Sequence, residues 1–416
     1  MIIYPNELNI IFEKLDKNNI KPMIIGGYIR DYLLNISSKD IDIELYGVSS
    51  LKKIEKILQE FGNINSVGKS FGVCKLSYEN LDLDFSLPRM DSKISSGHSG
   101  FNIKIDKNLS FKTASSRRDF TMNAIGYDIL NKKLLDPFSG QNDIKNKIIR
   151  AVDIEKISED PLRVLRAVQF SSRFNFLLDN KLFDKCRLMI ENRVLDELPK
   201  ERIFDEIKKL LLKSIKPSIG FSLLKKLNGF LYFKELATLK NEEFEHILLS
   251  LDMLSSYEIK SEKIKLTLML ASLCYYFDTK KIEIFLRRFT NEKELIKNIV
   301  TIIENKDTLD LSNIKDFDIY FLATKLNIEQ FCIFLRGINL GKIDDKINAL
   351  IKKAKKLGIL NKKADAILKG QDIINLGIKP SKRISDILNK AYIAQISDRF
   401  NNHKNAIKWL KKELFG

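Results

Sequence analysis

The spacing of apolar residues changes near residue 150, and this change constrains the fold more than any other feature of the 416-residue sequence. Before that point, helical spacing of three and four residues mixes with the alternation that is typical of half-buried strands. After it, apolar residues recur almost only at helical spacing, as in Ile203, Ile207, Leu210 and Leu211. The sequence therefore predicts an α+β protein, in which a mixed N-terminal region is followed by an all-helical remainder.

Short elements can be assigned within the mixed region. Strands are expected at residues 21–25, 41–45, 73–76 and 81–85, and helices at residues 28–34 and 50–61. A glycine turn and two acidic strands lie among these elements.

Composition narrows the classes of partner and chemistry. The 71 basic and 54 acidic side chains leave a net charge of +17, which favours a polyanion such as RNA, although a biased genome composition also produces excess lysine. The four cysteines lack metal-binding spacing and are expected to be reduced and buried. With three histidines, a metal site must be built from carboxylates. No apolar run is long enough to cross a membrane, so a cytoplasmic protein without a membrane partner is expected.

A pair of glycines lies where the first expected strand gives way to a helix, in the sequence GGYIRD. Gly26 and Gly27 let backbone N–H groups approach an anion, the helix start adds its positive end, and Arg30 can reach back to a phosphate. The pattern predicts a phosphate-binding turn. A purely structural turn, which needs the same permissive φ angles, is the alternative.

Acids alternate with isoleucines in the second expected strand, DIDIE. The two-residue period turns the isoleucines toward the core and places Asp40 and Asp42 together on the opposite face, where a divalent cation can bridge them. Glu44 lies one step deeper and is interpreted as structural. The LDLDF segment repeats the pattern, so Asp84 is a candidate third catalytic carboxylate, whereas Asp82 is expected to be exposed. The solvated face of an edge strand is the alternative interpretation.

Two further motifs combine arginines with acids. In RRDFTMNA, Arg118 offers forked donors to phosphate or sugar oxygens, and Asp119 can orient an arginine or accept from a ribose hydroxyl; a surface salt-bridge cluster is the alternative. In EDPLRVLR, Asp160 is expected to cap a helix that carries Arg163 and Arg166 on one face. Arginine in a first helical turn opposes the helix dipole, so it requires an anionic partner, for which Asp160 is the candidate. Such an Asp–Arg pair can read the edge of a nucleobase.

In chain order, GGYIRD, DID, RRDFTMNA, LLDPFSGQNDIKNKIIRAV and EDPLRVLRAVQF closely resemble the successive motifs of the class II nucleotidyltransferases, the family of tRNA CCA-adding enzymes and bacterial poly(A) polymerases. The match is dense over residues 20–180 and thinner through ERIFDEIKKLLL, KPSIGFSLLKKLNG and GQDIINLGIKPS. The resemblance implies a catalytic head with a polymerase-β-like mixed sheet at residues 1–150. It also implies a helical neck, body and tRNA-binding tail at residues 151–215, 216–345 and 346–416.

The resemblance also assigns roles by motif match. Asp40 and Asp42 would hold two Mg²⁺ ions, one acting on the RNA 3′-hydroxyl and the other on the departing pyrophosphate. The residues that would contact the nucleotide are Gly26, Gly27, Arg30, Arg118, Asp119, Asp160, Arg163 and Arg166. Arg118 and Asp119 would meet phosphate and ribose, while Asp160 and Arg163 would pair with the base of CTP or ATP. Gln169 occupies a position where many relatives carry arginine, which leaves one triphosphate or base contact open.

The expected reaction is the addition of CCA to tRNA from CTP and ATP, with the acceptor arm of tRNA as partner and no DNA. A poly(A) polymerase or an A-adding enzyme is the alternative within the family, and a catalytically inactive RNA-binding protein is a third possibility. The long segment between Pro88 and Phe111 argues against an enzyme that adds only CC, since such relatives have a shortened loop. His98, in that segment, is given no catalytic role. A second, histidine-based metal site is not expected, because Cys274 occupies the place where a His–Asp pair would be needed.

Overall fold

The computed structural model describes residues 2–65, 73–93 and 101–415, and the chain divides into two compact units, residues 1–237 and 238–416. The strands are β1 (Lys21–Ile25), β2 (Asp40–Tyr46), β3 (Ile64–Asn65), β4 (Val73–Tyr78), β5 (Leu81–Ser86), β6 (Arg89–Lys93), β7 (Phe101–Ile105), β8 (Gly126–Asp128), β9 (Lys133–Leu135), β10 (Ile148–Ile149) and β11 (Leu177–Leu178). The helices of the first unit are α1 (Asn9–Asp16), α2 (Gly27–Leu33), α3 (Leu51–Leu58), α4 (Phe111–Ser115), α5 (Gly140–Lys145), α6 (Leu162–Phe174), α7 (Asn180–Glu191), α8 (Lys200–Lys213) and α9 (Pro217–Lys226). Those of the second are α10 (Asn241–Ser256), α11 (Glu262–Leu273), α12 (Thr279–Leu286), α13 (Lys293–Glu304), α14 (Asp316–Ala323), α15 (Ile328–Ile338), α16 (Asp344–Lys356), α17 (Gly370–Ile374), α18 (Lys382–Ile396) and α19 (His403–Phe415).

A seven-stranded mixed sheet, in the order β3-β4-β5-β2-β1-β8-β9, forms the centre of the first unit. β2 and β5 pair in parallel, whereas the other described neighbours in this sheet pair antiparallel. Parallel neighbours need a long connection, which here includes α3. The strands and helices expected from the sequence occur at their expected places, with ends shifted by a few residues. The α+β prediction is therefore confirmed, while the finer division into head, neck, body and tail stays a prediction.

The core of the sheet follows from the alternation in β2. Ile41 and Ile43 are buried, as the two-residue period predicts, and fully buried residues of α1 and α3, such as Leu15 and Leu58, add to the core. The hydroxyl of Ser50 accepts from the backbone N–H of Lys53 and so caps the start of α3. This packing fixes β2 rigidly and leaves its acidic side chains on the other face.

The helices that follow the sheet bury the predicted apolar stripe. Ile203, Ile207, Leu210 and Leu211 are buried on α8, which packs against α6. α6 ends at Asn175, which adopts the left-handed conformation with a φ of 56°. The packing of α6 against α8 holds the N-terminal turn of α6 close to the side chains of α8.

The second unit is entirely helical over its described residues. α11 is buried along most of its length, from Leu266 to Leu273, and α17 to α19 share an apolar cluster that includes Ile373, Ile387 and Leu410. None of the helices in the described ranges combines the length and the apolar character that crossing a bilayer requires. All four cysteines of the chain are buried and none takes part in a disulfide, in agreement with the sequence prediction.

The segment between Pro88 and Phe111, interpreted from the sequence as a long loop, contains two paired strands. β6 and β7 form an antiparallel pair in which Arg89 lies opposite Ile105. His98 lies outside the described residues. Sequence reasoning missed this strand pair.

Candidate active site

The two acidic strands lie side by side in the sheet. β2 and β5 are in register, with Asp40 opposite Asp82 and Asp42 opposite Asp84. The residues between them are buried on the core side, so the carboxylates share one face, as predicted. They line a cavity of about 490 Å³ together with Lys75, called the carboxylate cavity below. The predicted proximity of Asp84 to Asp42 is thus present in the structure.

Asp42 has an unfavourable electrostatic environment. Burial raises the pKa of Asp42 above its ordinary value, Arg118 opposes that shift, and the negative charges of Asp84 and Asp40 add to it. The Lys75 ammonium lies 2.7 Å from a carboxylate oxygen of Asp84. Within the described ranges, no ion pair is made by Asp40 or Asp42. An additional cation would therefore stabilise the ionised form of Asp42.

The donor set of this cavity fits a hard divalent cation. Asp40 and Asp42 offer carboxylate oxygens, the ligands that Mg²⁺ takes, and Mg²⁺ usually keeps waters and substrate oxygens as further ligands. The described residues contain no group of three or more His, Cys, Asp and Glu side chains arranged to hold a metal ion. A cation here would need additional oxygens from water or substrate. Because Asp84 is paired with Lys75, its catalytic role stays a prediction.

The glycine turn joins β1 to α2. Gly26 has a φ of 70°, in the left-handed region, and its N–H donates to the carbonyl of Ile125 at 3.0 Å. A Cβ on Gly26 would lie 2.5 Å from Nη1 of Arg118, whereas one on Gly27 would meet nothing closer than 3.7 Å. Gly26 is therefore favoured mainly by its left-handed φ, and a side chain at this position would also displace the guanidinium of Arg118. Phosphate binding by this turn stays a prediction.

Arg30 is engaged differently from the sequence expectation. Its side chain is buried, its Nε donates to Asp31 at 2.8 Å, and its Nη1 donates to Asn123 at 2.6 Å. The guanidinium also lies over the rings of Phe170 and Phe174. Burial lowers the pKa of Arg30, although Asp31 opposes that shift. Since protein groups occupy these donors, direct phosphate contact by Arg30 stays a prediction, and the contacts shown are those of a positioning residue.

Asp42 also lines a second cavity, of about 400 Å³, called the arginine cavity below. Its lining residues are Gly27, Arg30, Asp42, Arg117, Arg118, Asp119, Asn123, Asp160, Arg163 and Arg166. Five of these residues are arginines, whose forked donors suit phosphate oxygens. The structure thus brings together residues from four motifs that are far apart in the sequence. The other predicted site residues lie outside the arginine cavity. Asp40 and Asp84 line the carboxylate cavity, and the backbone of Gly26 lies against the guanidinium of Arg118.

Asp119 orients an arginine, but not one of its sequence neighbours. Its Oδ2 accepts from Nε and Nη2 of Arg166 at 2.7 and 2.6 Å. Its Oδ1 accepts from Asn123 and from the backbone N–H of Phe120. Burial acts to raise the pKa of Asp119, but Arg166 and these hydrogen bonds hold it below its ordinary value. Asp119 is therefore a fixed anion, and it orients Arg166 at the edge of the arginine cavity.

The expected pair between Asp160 and Arg163 is not formed. Nη1 and Nη2 of Arg202, on α8, donate to Asp160 at 3.3 and 2.9 Å, and the first backbone N–H of α6 donates to Asp160 at 3.1 Å. Arg163 instead donates to the carbonyls of Lys156 and Arg117, each at 2.8 Å. The prediction of a direct pair is wrong because packing of α6 on α8 supplies Asp160 with a stronger bidentate partner. α6 begins at Leu162, one residue later than expected.

Comparison with known proteins finds relatives for both parts of the chain. The family model of the poly(A) polymerase head domain matches residues 23–150, and the model of tRNA nucleotidyltransferase domain 2 matches residues 260–410. The CCA-adding enzyme of Staphylococcus epidermidis is 27% identical over 414 residues, which cover 96% of each chain. Residues 23–150 are thus similar to the head domain of poly(A) polymerases, and residues 260–410 to a domain of tRNA nucleotidyltransferases. The family resemblance drawn from the motifs is thereby confirmed.

Further relatives match the chain over different lengths. The multifunctional CCA protein of Neisseria gonorrhoeae is 33% identical over 190 residues, which are 46% of this chain and 44% of that protein. The chain thus spans less than half the length of that curated relative. The solved CCA-adding enzyme of Bacillus stearothermophilus, in complex with CTP, shares the fold with a TM-score of 0.73 at 20% identity, covering 99% of this chain and 98% of that one.

Sequence reasoning missed three residues that shape the candidate active site. Lys75 lies opposite Asp84 on β4, a position that the alternation of that strand could have indicated. Arg202 belongs to the ERIFDEI segment, but no local pattern connects it to Asp160, which is 42 residues away. Asn123 lies inside the RRDFTMNA motif and was given no role. Glu44, interpreted as structural, accepts from Tyr46 and Arg117 in a buried cluster, as that interpretation requires.

Proposed function

We propose that this protein adds CCA to the 3′ end of tRNA without a nucleic-acid template, using CTP and ATP and releasing pyrophosphate. Relatives from S. epidermidis and N. gonorrhoeae carry names that refer to CCA addition, and the B. stearothermophilus relative is solved with CTP. The net charge of +17 favours RNA as the polymer substrate, and the acceptor arm of tRNA is the proposed region of contact. The proposed compartment is the cytoplasm.

One observation carries this proposal: Asp42 lines both the carboxylate cavity and the arginine cavity. Nucleotidyl transfer needs a region that holds a triphosphate and a region that holds divalent cations, and the two must meet at the reacting phosphorus. The arginine cavity has the charge for the first task, and the carboxylate cavity has the donors for the second.

The aspartates and arginines have separate proposed roles. Asp40 and Asp42 are the proposed ligands of two Mg²⁺ ions, which when bound would lower the pKa of the RNA 3′-hydroxyl and neutralise the departing pyrophosphate. Arg118 is proposed to bind the triphosphate, and Asp119 to accept from a ribose hydroxyl, which would share a carboxylate oxygen with the protein donors already bound there. Asp119 is held by Arg166, and Arg118 donates to the backbone carbonyl of Asn123. Both side chains are therefore oriented before the nucleotide arrives.

Asp160 and Arg163 are the proposed readers of the base. Cytosine and adenine each present an amino donor beside a ring-nitrogen acceptor, whereas uracil and guanine present the reverse order. A carboxylate next to a guanidinium therefore matches CTP and ATP and leaves polar groups unpaired with UTP or GTP. Arg202 holds the Asp160 carboxylate, and two backbone carbonyls hold the Arg163 guanidinium. The two proposed base-reading side chains are therefore positioned by different groups of the protein.

Poly(A) addition, or addition of the terminal A alone, is the alternative within the family. It uses the same carboxylates and triphosphate site, and the family model that matches the first unit is named for poly(A) polymerase. The two reactions differ in the nucleotide accepted and in where addition stops.

The deciding experiment is extension of a tRNA transcript that ends at the discriminator base. The protein is incubated with CTP alone, ATP alone or both, in the presence of Mg²⁺, and the products are sized. We expect two C residues with CTP alone and a complete CCA end with both nucleotides. Long A tracts with ATP alone would instead identify a poly(A) polymerase. A control transcript that already ends in CCA should not be extended by a CCA-adding enzyme.

A further inference from the structure

The side-chain amide of Asn123 connects two residues of the arginine cavity. Asn123 is 5% exposed, its Oδ1 accepts from Arg30 Nη1 at 2.6 Å, and its Nδ2 donates to Asp119 Oδ1 at 2.9 Å. Its backbone carbonyl accepts from Arg118 Nη1 at 3.0 Å. One residue therefore contacts three of the predicted nucleotide-binding residues.

These contacts form a continuous chain across the cavity. Arg30 lies on α2, directly after the glycine turn, and Asp119 passes the connection to Arg166 on α6. α6 begins beside Asp160 and Arg163, the proposed base readers. The amide of Asn123 thus adds a hydrogen-bonded connection between the side of the cavity that follows the glycine turn and the side formed by α6, beside the contacts of Arg30 with Phe170 and Phe174.

An amide is the side chain that can make this connection. It must accept from a guanidinium at one atom and donate to a carboxylate at the other, and asparagine supplies one acceptor and one donor at that spacing. Aspartate would place a second carboxylate against Asp119 and repel it. Alanine would leave a buried donor of Arg30 and a buried acceptor of Asp119 without these partners.

We propose that Asn123 is a positioning residue that couples triphosphate binding to base selection. It holds Arg30, and through Asp119 it holds Arg166, so that a nucleotide seated by its phosphates meets the α6 side chains in one orientation. The ligand class is a nucleoside triphosphate whose base presents an amino donor beside a ring-nitrogen acceptor, and this inference rests on the proposed function. Asn123 itself need not touch the nucleotide.

The test compares Asn123→Ala and Asn123→Asp with a matched control, Asn305→Ala, in the second unit. Asn305 is also buried, donates to the carbonyl of Thr301, and accepts from Lys325. Binding of CTP and of ATP to the full chain is measured by calorimetry without RNA, in the presence of Mg²⁺. The ratio of kcat/KM for CTP over UTP is measured in tRNA extension, because this ratio does not depend on the fraction of folded enzyme.

We expect Asn123→Ala to weaken binding of CTP and ATP about tenfold and to lower the CTP-over-UTP ratio by a similar factor, since two buried charge-assisted contacts are lost. Asn305→Ala should leave both quantities unchanged. Asn123→Asp should be at least as damaging. The double variant Asn123→Asp/Asp119→Asn should recover part of the CTP affinity. In this variant the hydrogen bond between the side chains at positions 119 and 123 can form again, with donor and acceptor exchanged.

An unchanged CTP-over-UTP ratio in Asn123→Ala, together with additive losses in the double variant, would overturn the inference and leave Asn123 with a structural role only. The proposed function fails separately. If the wild-type chain binds CTP and ATP but extends no tRNA, CCA addition is refuted, while the loss or retention of nucleotide affinity in the variants still decides the role of Asn123. If the wild-type chain extends tRNA and Asn123→Ala behaves like Asn305→Ala, the inference about Asn123 alone is refuted.

Discussion

The carboxylate cavity and the arginine cavity share Asp42 but satisfy their charges in opposite ways. In the arginine cavity, Asp119 is paired with Arg166 and Asp160 with Arg202, and these contacts are between 2.6 and 3.3 Å. In the carboxylate cavity, Asp40 and Asp42 have no ion-pair partner among the described residues, and burial, together with the charges of Asp84 and Asp40, raises the pKa of Asp42. The first cavity is organised before any ligand binds, whereas the second is left in need of positive charge.

Because of this difference, the nucleotide and the divalent cation are expected to bind for different physical reasons. A nucleotide that enters the arginine cavity meets donors whose orientation is already fixed by protein partners, so little ordering is needed on binding. A divalent cation that enters the carboxylate cavity relieves repulsion that the protein itself leaves unbalanced. Substitutions should therefore act on chemistry in one cavity and on selection or stability in the other.

The largest expected effect is that of Asp42→Asn. Removing this carboxylate should lower tRNA extension by about 10³-fold or more, because cation-based stabilisation contributes several kcal/mol to such transfers. Thermal stability should be unchanged or slightly higher, since the burial and neighbouring charges that raise the pKa of Asp42 disfavour its ionised form. Extension rates and the melting temperature are the two measurements.

Asp82→Asn is the matched control for that experiment. Asp82 lines the same cavity, lies opposite Asp40 in the sheet, and has no assigned role. It should retain extension within about tenfold of the wild type, since it does not border the arginine cavity. Equal loss in the two variants would mean that general negative charge, and not Asp42 at the boundary, supports the reaction.

Arg163→Ala should affect selection more than rate. Loss of the guanidinium donors should lower the preference for CTP over UTP by about 10²-fold, because the site then no longer disfavours a base that lacks the matching ring-nitrogen acceptor. Competition between CTP and UTP in a single extension reaction measures this ratio. Arg187→Ala, which removes a half-exposed arginine paired with Asp184 on α7, provides the control. A preserved preference would show that base selection lies elsewhere.

The part of this site that was predictable from the sequence is the part that depends on local periodicity. The two-residue alternation of β2 and β5 predicted that Asp40, Asp42 and Asp84 share a face, and their register confirms it. The partners of the acids were not predictable in the same way. Asp119 pairs with a residue 47 positions away, and no spacing rule selects Arg166 over the adjacent arginines.

Tertiary packing also explains the error at the start of α6. An arginine in the first turn needs an acceptor, and the nearest acid in the sequence was Asp160. In the fold, the backbone carbonyls of Lys156 and Arg117 satisfy Arg163, while α8 brings Arg202 to Asp160. The expectation of an anionic partner for Arg163 was therefore wrong, since neutral carbonyls accept from it, and the partner of Asp160 depends on which helix packs against α6.

Asp119→Asn should produce a moderate loss of stability that depends on pH. Breaking the buried pair with Arg166 should lower the free energy of unfolding by about 2–3 kcal/mol at neutral pH. Arg166 and the hydrogen bonds hold the pKa of Asp119 below its ordinary value, so this stabilisation is complete above the unfolded-state pKa, which is about 3.9. It is lost as the pH falls through the lower pKa of the folded protein.

Urea unfolding of both proteins between pH 7 and pH 3 checks this dependence. The difference between wild type and Asp119→Asn should be constant down to about pH 4 and should shrink at lower pH. Asp128→Asn is the control, because the buried Asp128 carboxylate accepts from Asn131 and not from an arginine. A difference that grows at low pH would contradict the assigned direction of the Asp119 shift.

The smallest effect is expected for Lys75→Ala, and it tests whether the carboxylate cavity lacks positive charge. The Lys75–Asp84 pair is 2.7 Å long but its side chains are 56% and 32% exposed, so its loss should change stability by less than about 1 kcal/mol. Because Lys75 is the cation beside Asp84, its removal should strengthen Mn²⁺ binding about two- to fivefold at low salt. Electron paramagnetic resonance of free Mn²⁺ measures this without any enzymatic readout. Lys133→Ala, at an exposed position of β9 in the same sheet, should leave Mn²⁺ affinity unchanged, and weaker Mn²⁺ binding in Lys75→Ala would mean that Lys75 supports the cation site instead of competing with it.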